Sequence, residues 1–297
     1  MSGSRSDSYD ALVAELAGSG LDPEAILALV DAALEEDLPG GSVDVTSVAT
    51  VPAEATGKGV LAAREPGVVA GLGVAALVLL RVDDAVAVHD RLPDGTQVAA
   101  GDVVMRVSGP TRALLTGERT ALNLASHLSG VATATSHWVE ALAGTSAQVL
   151  DTRKTLPGLR SLQKYAVRCG GGVNHRFSLS DRAMVKDNHV VAAGGVVPAY
   201  CAVRAAYPDL RIEVEVTDLD QLRELLDVGC TEILLDNMDT STMAEAVRIT
   251  AGRATLEASG GLTLDRAREV AQTGVDVISV GALTHSVKVL DLGLDLS

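Results

Sequence analysis

A chain of 297 residues with 47% hydrophobic content has enough apolar side chains to bury the core of one large or two ordinary domains. Its formal charge of -15 argues against a duplex nucleic acid partner, and an aromatic content of 2% leaves few rings for stacking on single strands. The three cysteines lack C-x-x-C spacing, so neither a disulfide framework nor a zinc site is predicted and a reducing cytoplasm is favoured.

The N-terminal part of the chain predicts a leader followed by a mixed α+β module. The first ten residues, MSGSRSDSYD, have no apolar segment behind their one arginine, so we expect residues 1–20 to be a disordered leader instead of a secretion signal. A helix is predicted over residues 21–34, with Asp22 as N-cap. The apolar run 68–80 is too short to cross a bilayer and predicts a buried helix, and no membrane partner is expected.

Short apolar segments between turn residues predict the strands of this module, which are residues 59–63, 86–89 and 103–107. Few helix breakers occur from residue 111 to about residue 142, which predicts one or two long helices.

From residue 147 onward, short apolar strands alternate with amphipathic helices. The predicted strands are residues 148–150, 183–185, 212–216, 233–235, 255–258 and 277–280. Such alternation predicts a parallel sheet of six strands, either open or closed into a barrel. Each strand is followed by polar or glycine residues, and parallel α/β folds bind ligands at the carboxyl ends of their strands. The scattered polar groups should therefore converge on one site, as in an enzyme.

Cations are concentrated between Arg153 and Lys186, where eight of the 24 Lys and Arg residues occur beside one acid, Asp181. Arg153, Lys154 and Lys186 follow predicted strands, and guanidinium and ammonium groups at such positions suit a ligand with several negative groups. The alternative is that they are ordinary solvated side chains.

A row of like charges within this basic segment, Arg160, Lys164 and Arg168, has helical spacing. This row faces either the anion site or an acidic neighbour, or is simply solvated. His175, after the glycine turn at 170–172, is either a donor to a ligand or a structural hydrogen-bonding residue.

Two glycine-containing turns, at residues 259–261 and 281–282, follow the last two predicted strands. Loops at these positions of an α/β barrel commonly bind phosphate through main-chain N–H groups, so the pair predicts a phosphate site. Glu215 and Asp236 end two central strands. They could bind ribose hydroxyls, hold a magnesium ion or neutralise buried arginines. A phosphorylated sugar that reacts with a di-acid would satisfy all of these features.

Seven segments carry a family resemblance, and in chain order they read GERTALNLASHLSGVATAT, DTRKTLPGLRSLQKYAVRCGGGVNHR, KDNHV, EVEV, ILLDN, EASGGL and VGALTHS. In this order and spacing they resemble the quinolinate phosphoribosyltransferases, from about Glu36 to Leu296. The resemblance implies an N-terminal α/β sandwich domain over 21–128, with 287–297 as a candidate addition, and a C-terminal α/β barrel domain over 129–286 that is short of eight strands. It also implies a homodimer, or a hexamer of dimers, with shared active sites.

The activity implied by the resemblance is a magnesium-dependent transfer from 5-phosphoribosyl-1-pyrophosphate to quinolinate with decarboxylation. The products are nicotinate mononucleotide, pyrophosphate and carbon dioxide, as a step of NAD biosynthesis. The groups implied at the reacting centre are Lys154, Lys186, Glu215 and Asp236. The residues implied to bind the quinolinate carboxylates are Arg153, His175, Arg176, Lys186 and the partner subunit's Arg119.

The remaining implied contacts of the family concern the leaving group, the ribose and the phosphate. Lys154 would lie near the carboxylates and the pyrophosphate, and Thr152 would be a further binding residue. Glu215 and Asp236 would meet the ribose hydroxyls and magnesium. The residues implied to hold the 5-phosphate are Ser259, Gly260, Gly261, Gly281 and Ala282.

Three other functions compete with this interpretation. One is a related phosphoribosyltransferase of the same fold that acts on another acidic base. Another is a Schiff-base aldolase that uses Lys186, because strand-end lysines in barrels serve that chemistry. The third is a biotinyl-like or lipoyl-like carrier, suggested by residues 94–105, but no lysine for attachment occurs between Asp84 and Gly109.

Overall fold

The computed structural model describes residues 3–297, with side chains from Tyr9 onward. The helices are α1 (Gly3–Gly18), α2 (Pro23–Asp37), α3 (Val45–Thr50), α4 (Leu72–Val82), α5 (Thr111–Ala141), α6 (Arg160–Cys169), α7 (Asp187–Ala193), α8 (Val196–Ala206), α9 (Leu219–Asp227), α10 (Thr240–Thr250), α11 (Ala267–Ala271) and α12 (Ala282–His285), with 3-10 turns at Pro39–Gly41 and Leu264–Arg266. The strands are β1 (Thr56–Ala63), β2 (Gly67–Val68), β3 (Ala87–His89), β4 (Gln97–Val98), β5 (Val103–Pro110), β6 (Gln148–Leu150), β7 (Ala183–Val185), β8 (Ile212–Val216), β9 (Glu232–Asp236), β10 (Thr255–Ser259), β11 (Val277–Ser279) and β12 (Leu292–Leu296).

The first of two compact units contains the chain up to Ala134 together with Leu156–Gly171 and Ser286–Ser297. Its sheet has the antiparallel strand order β12-β1-β5-β3. Strand β12 pairs with β1 in a register that joins Ala63 to Leu292, so the C-terminal segment completes the N-terminal sheet. Most of the apolar run 68–80 lies in the buried helix α4, which begins only at Leu72 because Gly71 before it has a φ angle of +79°, outside the helical region.

Helix α1 covers most of the segment that the sequence predicted to be a disordered leader. Leu12 and Leu16 on this helix are buried, and burial of apolar side chains is what a disordered segment would lack. The structure therefore differs from the predicted leader over Gly3–Gly18. Met1 and Ser2, also part of that prediction, lie outside the described residues.

Helix α6 belongs to the first unit, although the sequence assigned it to the barrel domain over 129–286. Its buried residues Leu162, Ala166 and Val167 form one apolar face. The hydroxyl of Tyr165 donates to Asp94 Oδ2 at 2.8 Å, so the helix is also held by a hydrogen bond within this unit. Packing of this apolar face is the physical reason for the difference.

The basic row on α6 is split by this packing. Lys164 is fully buried, whereas Arg168 is exposed and donates to the carbonyl oxygen of Ser19 at 2.5 Å. The row is therefore not a uniform solvated face.

The second unit, Thr135–Thr155 and Gly172–His285, contains a parallel sheet in the order β6-β11-β10-β9-β8-β7. Six parallel strands and an incomplete α/β barrel were predicted, and both are confirmed: among the described residues the end strands β6 and β7 do not pair with each other. Two of the connecting helices begin where an aspartate side chain accepts free N–H groups of the first turn, as Asp218 does for α9 and Asp239 for α10.

Within the described residues, no single helix is long and apolar enough to cross a membrane. Helices α7 and α8 pass the same test of length and composition only as a pair, and they meet at a bend of 90°.

Candidate active site

The register of the parallel sheet brings the predicted polar residues to one face at the carboxyl ends of the strands. Leu234 on β9 is level with Glu215 on β8 and with Glu257 on β10. Two residues further along, Asp236 is level with Ser259. Residues that are level in a parallel sheet point to the same side, and so do residues two apart on one strand. Glu215, Asp236, Glu257 and Ser259 therefore share the inner face of the sheet.

A cavity of about 270 Å³ opens at this end of the second unit. It is near the lower end of ligand pockets, about 300–1,000 Å³, which suits a single-ring ligand. Its lining includes seven residues that the sequence selected, which are Thr152, Arg153, Lys154, His175, Arg176, Lys186 and Ser259. The other lining residues are Met184, Leu234, Glu257 and Ser279.

Two guanidinium groups are held in this cavity in a way that favours an anion. The Nε atom of Arg153 is buried and has no hydrogen-bond acceptor among the described residues. Burial lowers the pKa of Arg176, and the charge of Arg153 lowers that pKa further. A buried donor without a partner and two neighbouring like charges are both unfavourable until a ligand supplies negative oxygens. The pair is therefore a candidate anion subsite.

Lys186 lies at the carboxyl end of β7 and forms an ion pair with Glu215. Its Nζ atom is 2.8 Å from Glu215 Oε2. Schiff-base chemistry requires a free amine, and the Nζ atom is instead engaged by the Glu215 carboxylate. Glu215 thus pairs with a half-exposed lysine, and not with the buried arginines that were one of the three roles considered for this acid.

Two carboxylates stand at the ends of the neighbouring strands β8 and β9. Asp236 and Glu215 offer carboxylate oxygens, which are the ligands that Mg²⁺ prefers. Asp236 is half-buried, and its Oδ2 atom accepts a hydrogen bond from Asn237 Nδ2 at 3.0 Å. Asp236 and Glu215 are therefore the side chains of this edge that would hold the ion.

His175 is buried and fixed by acids on three strands. Asp151, directly after β6, accepts the main-chain N–H of His175 at 2.9 Å. The Nε2 atom of the imidazole is 2.9 Å from Glu213 Oε2 and 3.4 Å from Glu257 Oε2. Burial by itself lowers the pKa of His175, but the two carboxylates outweigh it and raise the pKa to about 9. The main-chain N–H of Arg176 donates to Nδ1 at 2.6 Å, and this bond by itself favours the neutral imidazole.

One of the two carboxylates beside His175, that of Glu213, is also paired with an arginine directly before β7. Arg182 lies 3.2 Å from Glu213 Oε1 and also pairs with Glu232. Burial raises the pKa of Glu213, because a charged carboxylate is unfavourable away from water. The neighbouring His175 and Arg182 offset part of that effect. This layer of buried charge forms the floor below the cavity.

The glycine turn after β11 packs directly against the β6 connection. A Cβ atom at Gly281 would lie 2.8 Å from Lys154 Cδ, so only glycine leaves room for the lysine stem. The hydroxyl of Thr284 donates to the carbonyl oxygen of Lys154 at 2.7 Å and fixes the same contact. Ser279 Oγ donates to Ser259 Oγ at 3.0 Å, which joins the ends of the last two strands.

Several predicted residues lie outside the cavity lining. Glu215, Asp236, Gly260, Gly261, Gly281 and Ala282 occur at the same strand ends but do not line the cavity. Arg119 is exposed on α5, in the part of that helix that belongs to the first unit.

Three acids near the cavity were given no role from the sequence. Asp151, Glu213 and Glu257 are each at most 2% exposed. Two of them could have been found from the alternation of side chains between the two faces of a strand. Glu213 is two residues before Glu215, and Glu257 is two residues before Ser259. Each therefore shares the inward face with a residue that the sequence had selected. For Asp151, its position directly after β6 was the only signal.

An incomplete α/β barrel with clustered cations, strand-end acids and glycine turns belongs to the class of α/β proteins that bind small, multiply charged anions. Comparison with protein families is more specific. The C-terminal domain of quinolinate phosphoribosyl transferase matches residues 131–295, and its N-terminal domain matches residues 44–129.

Curated relatives agree with these family matches. The nicotinate-nucleotide pyrophosphorylase [carboxylating] of Mycobacterium leprae is 54% identical over 269 residues, covering 89% of this chain and 94% of the relative. The probable enzyme of the same name from Bacillus subtilis is 41% identical, covering 86% and 89%. Among solved structures, NadC from Streptococcus pyogenes superimposes with a TM-score of 0.89 at 41% identity, covering 93% of this chain and 98% of the other. The chain belongs to the quinolinate phosphoribosyltransferase family.

Proposed function

We propose that this protein transfers the phosphoribosyl group of 5-phosphoribosyl-1-pyrophosphate to quinolinate, with loss of carbon dioxide, to give nicotinate mononucleotide. Family membership supports the reaction class. The observation that carries the choice of a di-acid is the Arg153–Arg176 pair, with its buried donor and its neighbouring like charges. A substrate with two carboxylates satisfies both guanidinium groups, whereas a single carboxylate leaves one cation without a partner.

The first task of the site is to hold the di-acid in one orientation. Arg153 and Arg176 bind carboxylate oxygens as planar forks, and Lys186 adds a point charge from the carboxyl end of β7. His175 is held by Asp151, so its position beside Arg176 does not depend on the ligand. Fixing the ring nitrogen of the substrate near the ribose removes much of the entropic barrier to the transfer.

The second task is to stabilise charge that develops during transfer. Departure of pyrophosphate leaves positive charge on the ribose, and the carboxylates of Glu215 and Asp236 are the acids available at these strand ends. Bond formation at the ring nitrogen gives a pyridinium. When the bond from the ring to the 2-carboxylate breaks, its electrons remain on the ring carbon next to the positive nitrogen, and that carbon then takes a proton.

Magnesium belongs to this proposal. When bound, the ion would supply positive charge for the phosphate oxygens of the substrate and leaving group. The residues proposed to hold it are Glu215 and Asp236, because both offer carboxylate oxygens at adjacent strand ends. Lys154 would add a cation near the pyrophosphate, and the turns at 259–261 and 281–282 would hold the 5-phosphate. A cytoplasmic location is proposed as well, in keeping with three free cysteines.

A direct assay tests the reaction. Purified protein is incubated with carboxyl-labelled quinolinate, phosphoribosyl pyrophosphate and magnesium, and released carbon dioxide and nicotinate mononucleotide are measured. We expect both products in equal amounts and little turnover when nicotinate replaces quinolinate. We expect Lys186→Ala to be nearly inactive while its thermal unfolding stays cooperative. Efficient use of nicotinate, or an unchanged Lys186→Ala variant, would contradict the proposal.

Shared sites in a dimer or hexamer are also proposed, with the partner subunit's Arg119 reaching the quinolinate. Mixing subunits tests this. Arg119→Ala and Lys186→Ala should each be nearly inactive alone, because every site lacks one of the two groups. Exchange of subunits between them creates mixed dimers with one intact site, so about a quarter of the wild-type activity should return. No recovery after demonstrated exchange would place both residues in the same subunit's site.

A further inference from the structure

Asn237 has an unusual main-chain conformation directly after β9. Its φ angle is +53°, in the left-handed region that L-residues other than glycine rarely occupy. Asparagine is the side chain best suited to this region after glycine, since its short amide can form local hydrogen bonds. A residue held in this conformation beside a candidate active-site acid calls for a physical reason.

Both ends of the Asn237 side chain are engaged by residues of the candidate site. The Nδ2 atom donates to Asp236 Oδ2 at 3.0 Å. On the other side, a Cβ atom built at Gly260 would lie only 2.3 Å from Asn237 Oδ1 and 2.5 Å from its Cγ. The amide therefore occupies the space that Gly260 leaves open.

The main chain of Asn237 adds a third connection. Its N–H donates to the carbonyl oxygen of Ser259 at 3.0 Å, which extends the pairing of β9 and β10 past Asp236. One residue thus contacts the strand-end acid on one side and the serine-glycine turn on the other.

We propose that Asn237 is a positioning residue that fixes the Asp236 carboxylate and the 259–261 turn relative to each other. This inference rests on the proposed function, in which the acid binds the ribose and the turn binds the 5-phosphate of the same substrate. Two groups that bind opposite ends of one small molecule work only if the distance between them is constant. The bond from Nδ2 also occupies one oxygen of Asp236 and leaves the other for the ligand.

A set of variants separates the side chain from the main-chain conformation. Asn237→Gly keeps the positive φ without strain but removes the amide. Asn237→Asp keeps the shape but replaces the N–H donor by an acceptor next to Asp236. Ala251→Gly is the matched control, because Ala251 also has a positive φ, 47°, but follows α10 and precedes β10, at the opposite end of the sheet.

Steady-state kinetics with both substrates give the decisive measurement. We expect Asn237→Gly to raise the KM for phosphoribosyl pyrophosphate about tenfold or more, while the KM for quinolinate changes little, because only the ribose-phosphate end loses its alignment. We expect Asn237→Asp to raise the same KM, because it loses the N–H donor and places a second carboxylate beside Asp236. Ala251→Gly should match the wild type in both constants.

The outcomes that overturn the inference differ from those that overturn the function. An active wild type with an unchanged KM in Asn237→Gly, or with both KM values raised equally and a lowered melting temperature, would make Asn237 merely structural. A wild type without activity on quinolinate and phosphoribosyl pyrophosphate would overturn the proposed function and the inference together.

Discussion

Replacing Arg153 with methionine tests the anion subsite, because it should affect binding and stability in opposite directions. The side chain keeps most of its length but loses the guanidinium, whose buried Nε lacks an acceptor among the described residues. In the substrate complex the variant loses a charge-assisted hydrogen bond worth about 1.5–3 kcal/mol. That loss corresponds to a KM for quinolinate raised on the order of 10- to 100-fold.

The free Arg153→Met variant should not be less stable than the wild type. It removes a buried donor without a partner and relieves the like-charge contact that helps to lower the pKa of Arg176. Its melting temperature should therefore stay within about 2 °C of the wild type or rise, since about 1 kcal/mol shifts a protein of this size by only a few degrees.

The assay for this prediction combines initial rates over a range of quinolinate concentrations with thermal unfolding of the ligand-free protein. Arg248→Met is the control, because Arg248 is an exposed arginine of α10 that pairs with Glu245 outside the cavity. It should change neither quantity. A clear fall in melting temperature together with an unchanged KM for Arg153→Met would show that Arg153 supports the fold and not the ligand.

Two further predictions concern the glycine turn and the buried imidazole. Gly260→Ala places a Cβ atom 2.3 Å from Asn237 Oδ1 and should remove most activity. In Gly261→Ala the new Cβ atom is 3.9 Å from its nearest neighbour, so this variant should keep more activity and lose only about 1–2 kcal/mol of unfolding free energy, for its positive φ. Equal activity losses in the two variants would refute the steric argument. The pKa of His175, about 9, lies above the ordinary 6.5, so its stabilising contribution is complete below about pH 6.5 and is lost as pH rises through 9. Glu257→Gln removes one carboxylate beside Nε2, so the unfolding free energy measured with urea should begin to decline at a lower pH than in the wild type. An identical pH profile in the two proteins would exclude the pairing of His175 with Glu257.

The parallel sheet of the second unit was predictable because its strands are short apolar runs separated by amphipathic helices. All six strands were predicted within one or two residues of their observed bounds. Buried parallel strands need apolar side chains along their length, so the residues of each strand show the pattern by themselves. The end of each strand then identified Arg153, Lys186, Glu215 and Asp236 as candidate residues before any contact was known.

The unit in which helix α6 packs could not be predicted in the same way. Its sequence lies between two strands of the barrel, yet its apolar face packs within the first unit. Amphipathic spacing shows that a helix has a buried face but not which surface covers that face. Likewise, Leu12 and Leu16 were too few to predict a helix over the leader, because their burial depends on packing that the sequence does not display.

The sequence by itself determined the class of fold, the family and the strand-end residues, because each of these depends on local pattern and spacing. Only the tertiary structure decided which charges are balanced and which are not. It paired Lys186 with Glu215, enclosed His175 between Glu213 and Glu257, and left the Nε of Arg153 without an acceptor among the described residues. These outcomes depend on distances between residues far apart in the chain, and the balance of burial and charge at such distances sets which groups can bind a ligand.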